Sequence, residues 1–107
     1  MDEIGPCVVD ANIFVKGVLS PHGPSGEIIQ AWRVARRFTT IASKNLLREI
    51  YNPKDDYLIE SALLGGANYL VTDDNDILGD QRVLDALSLF GTKTVPAIDF
   101  LRIVKSS

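Results

Sequence analysis

The sequence predicts an α/β fold, a three-layer α/β/α sandwich with a mainly parallel central sheet of about four strands. Short apolar runs rich in β-branched residues alternate with amphipathic segments along the chain. Those segments open on capping residues and close on glycine or proline signals. No repeat, linker or low-complexity tract interrupts the 107 residues, so residues 1–107 read as one domain.

The first strand is Pro6-Cys-Val-Val9, a short buried run that ends at Asp10. Asn12 to Leu19 carries apolar residues at 13, 14, 15, 18 and 19, enough for a short helix. Ser20 to Gly26 is dense in breakers and reads as a loop, from which Ser25 or Gly26 caps a helix through Arg37. Its buried stripe is Ile28, Ile29, Trp32 and Ala35. Phe38-Thr-Thr-Ile-Ala42 is a second strand. Ser43 then caps a helix whose inner face is Leu46, Leu47 and Ile50.

Asn52-Pro-Lys-Asp55 is a strong helix start, with Asn as cap, Pro at the first helical position and Asp at the third. That helix runs through Ile59, Ala62 and Leu63 and stops at Gly65-Gly66. Tyr69 to Thr72 is the third strand. A helix over about 80–89, a strand near Thr92–Pro96 and a terminal helix near 98–104 complete the order.

Hydrophobic residues make up 46% and charged residues 23%, the balance of an ordinary soluble globular protein. The start Met-Asp-Glu is unlike a signal peptide, and no apolar stretch approaches the roughly 18–20 residues that span a bilayer. The expectation is a cytoplasmic protein with no membrane partner. Cys7, the lone cysteine, rules out an intrachain disulfide and reads as a small core residue in a reducing compartment. A net charge of −3 excludes a uniformly basic nucleic-acid binder. Charge is uneven, however: Arg33, Arg36, Arg37, Lys44, Arg48 and Lys54 crowd the middle, and acids gather between Glu49 and Asp80.

In an open parallel sheet, ligands sit beyond the carboxyl ends of the strands. Asp10 follows the first strand, and Asp73, Asp74 and Asp76 follow the third. Adjacent strands lie about 4.8 Å apart, so these carboxylates share reach if the two strands are neighbours. Glu49, near the end of one helix, and Asp56, in the first turn of the next, are expected to join them. Each acid alone also reads as a turn or cap residue. Asp55 reads as a helix cap, and Asp73 and Asp80 as solvated loop residues. The only histidine, His22, reads as exposed in its loop. A set of oxygen ligands without a His-Cys cluster suits Mg²⁺ or Mn²⁺ rather than structural zinc, and carboxylate-held Mg²⁺ suits phosphoryl chemistry.

Val8-Val-Asp-Ala-Asn-Ile-Phe14 resembles the opening motif of PIN-domain nucleases. The stretch from Asp55 through Gly65-Gly-Ala-Asn-Tyr-Leu-Val-Thr-Asp-Asp-Asn-Asp76 resembles that family's third and fourth motifs in order and spacing. Leu19-Ser-Pro-His-Gly-Pro24 and Pro96-Ala-Ile-Asp-Phe-Leu101 resemble its VapC-like, toxin-component subgroup. The resemblance covers nearly the whole chain. It implies a PIN-like sandwich and metal-dependent hydrolysis of RNA phosphodiesters by an activated water, with an antitoxin protein as partner. It makes Asp10, Glu49, Asp56 and Asp74 the metal-binding catalytic acids and Asp76 an auxiliary, with Asn12 and Thr72 holding the site by hydrogen bonds. On this reading Arg33, Arg36, Arg37, Lys44 and Arg48 are candidate RNA phosphate contacts.

Relatives usually carry a pair of helices between the second and third acidic motifs, where this chain has only residues 50–55. That insert commonly shapes the substrate groove, the dimer surface and the antitoxin face. Its absence motivates two further expectations: a homodimer that covers the exposed neighbour surface, and, as the alternative function, a catalytically degenerate PIN-fold module binding RNA or a protein. A phosphatase or receiver-like module with Asp10 as nucleophile is a third reading, and Lys93 is its test residue.

Overall fold

A computed structural model describes residues 4–40, 62 and 65–106. Among these residues the order is β1 (Pro6–Val9), α1 (Ala11–Leu19), α2 (Pro24–Arg33), β2 (Thr39–Thr40), β3 (Tyr69–Val71), α3 (Asn75–Leu78), α4 (Gln81–Leu89), β4 (Lys93–Val95) and α5 (Ala97–Ser106). The strands form one sheet in the order β2-β1-β3-β4 with every pair parallel. The predicted α/β sandwich is therefore the fold observed.

Strand side chains alternate between faces, and the two cores follow that period. Cys7, Val71 and Val95 point to one side, where they meet Ile13 of α1, Ile28 of α2 and Phe100, Leu101 and Val104 of α5. Val8 and Leu70 point to the other, against Ala62, Ala67, Ile77 of α3 and Leu87 of α4. Phe100 centres the first core. Its ring lies 4.9 Å from that of Phe38, edge to face, and 5.8 Å from that of Tyr69. Cys7 is fully buried there, as a small core residue. No helix among the described residues is long and apolar enough to cross a membrane.

Several boundaries differ from the sequence reading. The second helix begins at Pro24 with Gly23 as its cap residue, not after Ser25 or Gly26, because Pro has no N–H to lose in the first turn. It ends at Arg33 rather than Arg37, and Ala35 is exposed instead of joining the buried stripe. Beyond it the N–H of Ala35 reaches back to Gln30 O and that of Arg37 to Ala31 O, while Arg36 takes φ +51°. A left-handed arginine is uncommon, so no glycine marks this stop. The helix α3 was not anticipated, being four residues long.

The stop at Gly65-Gly66 is observed, with Gly66 at φ +65° and the Ala67 N–H returned to Ala62 O at 3.0 Å. The helices expected after Ser43 and through Asn52–Ile59, and the second strand beyond Thr40, fall outside the described residues.

Candidate functional site

Connections leave β1 and β3 on opposite faces of the sheet. From β1 the chain passes to α1 and α2 and from β3 to α3 and α4, and these two strands are neighbours. The crevice beyond their carboxyl ends is thus the topological switch point, where open α/β sheets bind ligands. Asp10 and Asp73-Asp74 lie there, with Asp10, Asn12, Lys16, Asp73 and Asp74 lining a cleft of about 320 Å³.

Asp10 is only 8% exposed. Its N–H bonds to Val71 O at 2.9 Å, extending the β1–β3 ladder by one residue and holding the carboxylate over α1. There Oδ1 accepts the Asn12 backbone N–H at 3.1 Å, capping the helix, and Oδ2 accepts the Thr72 hydroxyl at 2.9 Å. Thr72 is fully buried, and its Oγ also accepts the Asp74 N–H at 3.1 Å. One hydroxyl therefore ties the acid after β1 to the turn carrying the acid after β3. Asp74 in turn caps α3 by accepting the Asp76 N–H at 2.8 Å.

The crowded acids after β3 are separated by their partners. Asp73 is no free loop residue: Oδ1 accepts the Ala97 N–H at the start of α5 at 2.9 Å, and Oδ2 lies 3.6 Å from Lys16 Nζ. Asp80 likewise caps α4 through the N–H groups of Arg82 and Val83. Helix N-termini carry partial positive charge, so this use of each carboxylate offsets their mutual repulsion.

Other expected site residues fall in different places. Asn12 lines the cleft, but the hydrogen bond it gives Asp10 comes from its backbone, which any residue except proline supplies. Asp76 is exposed, and it too contributes its N–H. His22 is exposed in the turn before α2, as expected. Glu49, Asp56, Lys44 and Arg48 lie outside the described residues.

Arg33, Arg36 and Arg37 are not beside Asp10 and Asp74. Arg33 and Arg36 line a groove of about 470 Å³ with Trp32, Phe38 and Thr39, at the start of β2. Arg37 donates to Val104 O at 3.3 Å. Thr39 pairs with Pro6, the first residue of β1, so this groove is at the edge of the sheet opposite Asp10. Lys93 pairs with Tyr69 at the same starting edge, well removed from Asp10. Among the described residues the cation lining the acidic cleft is instead Lys16, which sequence reading passed over. Its signal was available: Lys16 lies four residues after Asn12 on a helix capped by Asp10, one turn along the same face.

No group of three or more His, Cys, Asp or Glu that could hold a metal occurs among the described residues. Asp10 and Asp74 nevertheless offer the hard oxygen donors that Mg²⁺ and Mn²⁺ take. Each Asp10 oxygen accepts one hydrogen bond and keeps a second lone-pair direction, so capping does not exhaust the carboxylate.

The double role of Thr72 is testable. Thr72→Val leaves Asp10 Oδ2 and the Asp74 N–H short of a partner and is expected to destabilise by about 1–3 kcal/mol. Thr72→Ser keeps the hydroxyl and loses about 0.8 kcal/mol, the contribution of one buried methyl. Urea melts of the two variants check this, and equal losses would remove the hydroxyl from the account.

Compared with protein-family models, characterised proteins and solved structures, the chain matches none.

Proposed function

We propose that the protein is a divalent-metal-dependent endoribonuclease of the PIN type, hydrolysing RNA phosphodiester bonds. The observation that carries this is Asp10 and the Asp74 turn joined by Thr72 at the switch point of a parallel sheet. Turn capping explains each acid alone, but neither cap requires a shared hydroxyl across two strands. Asp10 and Asp74 would hold Mg²⁺ or Mn²⁺, together with Glu49 and Asp56, which the motif resemblance adds. Bound there, the ion supplies water activation and neutralises charge on the phosphate. Within the chain, Thr72 orients Asp10, and the ladder bond from Asp10 to Val71 fixes its position.

The same resemblance makes the chain the toxin of a toxin–antitoxin pair, working in the cytoplasm. Val15, Val18 and Leu19, exposed on α1, are the apolar surface that an antitoxin or a second copy would cover. The alternative is a degenerate PIN-fold module that binds RNA or a protein without cutting. It is favoured by one observation, that the described acids already serve as helix caps.

Mn²⁺ calorimetry on the wild type and on Asp10→Asn/Asp74→Asn, with cleavage of fluorescent single-stranded RNA alongside, separates the two. Binding and cleavage that both vanish in the variant are expected. Binding without cleavage in the wild type selects the degenerate module, and no wild-type binding returns these acids to being caps.

A further inference from the structure

A second cleft, of about 430 Å³, adjoins the acidic one and shares Lys16 and Asp73 with it. Its far side is the first turn of α2, through Gly23, Pro24 and Ser25. Leu19 and Ile98 give it apolar walls. The other capped helices here, α1, α3 and α4, each use an aspartate side chain, whereas Gly23 has none to offer α2. Pro24 has no N–H, and those of Ser25 and Gly26 fall in the first turn, where no intrahelical acceptor exists.

Ser25 supplies the independent observation. It is 8% exposed, it lines this cleft, and its hydroxyl makes no hydrogen bond within the described residues. Among the described residues the buried side-chain oxygen without a partner is Thr94 Oγ1, so the unbonded Ser25 oxygen is instead open to the cleft, where a ligand can meet it. The turn is also held firmly in place. A Cβ on Gly17 would run into Ile29 Cδ1 and stand 2.9 Å from Ser25 O, and one on Gly26 would run into Pro21 O. Gly17 lets α1 pack hard against the start of α2, and Gly26 lets the preceding turn fold back onto it.

We propose that this cleft seats a second backbone phosphate of the RNA, next to the one addressed by Asp10 and Asp74. The Lys16 ammonium, the Ser25 hydroxyl and the open first turn of α2 hold it. A helix N-terminus favours an anion through its N–H groups and its dipole. Lys16 is 58% exposed, and its pair with Asp73 at 3.6 Å is of the weak surface kind. An ammonium has three donors, so Lys16 can engage a phosphate without leaving Asp73. Asp73 is already satisfied at both oxygens, and Glu27, in the first turn of α2, is drawn to Lys105 at 3.4 Å. The proposal names the substrate grip of the nuclease reading and rests on it, but its test does not require cleavage.

The test is binding of a fluorescent hexauridylate in EDTA over a series of KCl concentrations, for wild type, Lys16→Gln and Ser25→Ala. Removing one phosphate contact to a single strand lowers the slope of log K against log salt by about 0.7. Lys16→Gln is expected to show that drop with several-fold weaker binding. Ser25→Ala is expected to weaken binding about tenfold or more, the worth of one hydrogen bond to a charged group, at unchanged slope. Lys16 is exposed and Ser25→Ala removes one unbonded oxygen, so both variants fold. Wild-type affinity and slope in both variants overturn the proposal, as does absence of RNA binding by the wild type. Cleavage of the same RNA in Mn²⁺ is read separately. Cleavage with both variants binding as wild type leaves the nuclease reading standing without this subsite. A Lys16-dependent slope without cleavage supports the subsite and rejects the nuclease.

Discussion

Asp10→Asn is expected to lower the proposed RNA cleavage by at least about 10³-fold, since loss of a ligand to a catalytic metal removes several kcal/mol of transition-state stabilisation. The fold should survive, because Asn is as good an N-cap as Asp and its Oδ1 can accept the Asn12 N–H. The new amide can donate to the Thr72 oxygen, which also accepts the Asp74 N–H, but the Thr72 hydrogen then loses its Asp10 acceptor, so a loss of about 1 kcal/mol is expected. Asp10→Ala is the contrast. It removes the cap, at about 0.5–2 kcal/mol, and strands the fully buried Thr72 hydroxyl, at about 1–3 kcal/mol. Activity should fall equally in both variants while stability falls further in Asp10→Ala. Cleavage kinetics and urea melts together decide the matter. An Asn variant that cleaves like the wild type would make Asp10 a cap and nothing more.

Phe100→Ala should have the largest effect on stability, about 3–5 kcal/mol. Phe100 is fully buried at the meeting of α5, the sheet and Phe38, with rings on two sides. Its neighbours Phe38 and Ile28 are not free to fill the space, being themselves packed to 2% exposure or less. For a domain of this length the loss lowers Tm by about 12–20 °C. A calorimetric shift below about 5 °C would mean that the core closes over the cavity. The same variant should leave the Asp10–Thr72 bond in place at low temperature, since that bond sits at the strand ends rather than in this core.

These two residues illustrate different degrees of legibility. For Phe100 only the terminal helix near 98–104 was legible; that its face with Leu101 and Val104 is the buried one is shown by the fold. Asp10 and Asp74 were legible as a pair because each follows an apolar strand, and parallel strands bring such positions to one edge. The arginines were not legible in this way. Closeness in sequence to Glu49 and Asp56 suggested a basic face beside the acids. Yet α2 leads the chain to the start of β2, and with it Arg33, Arg36 and Arg37 to the opposite edge.

Alternation of short β-branched runs with amphipathic segments was enough by itself to determine an α/β sandwich with strands at Pro6–Val9, from Tyr69 to Thr72 and near Thr92–Pro96, each within a residue of the strands observed. Periodicity and capping are local, so they survive without knowledge of the fold. Only the tertiary structure decided that β1 lies between β2 and β3, that one threonine hydroxyl serves two acids, and that Lys16 and Ser25 face a common cleft. Each of these joins residues far apart in the chain. Strand order and helix crossing set such distances, and neither is written in any local pattern.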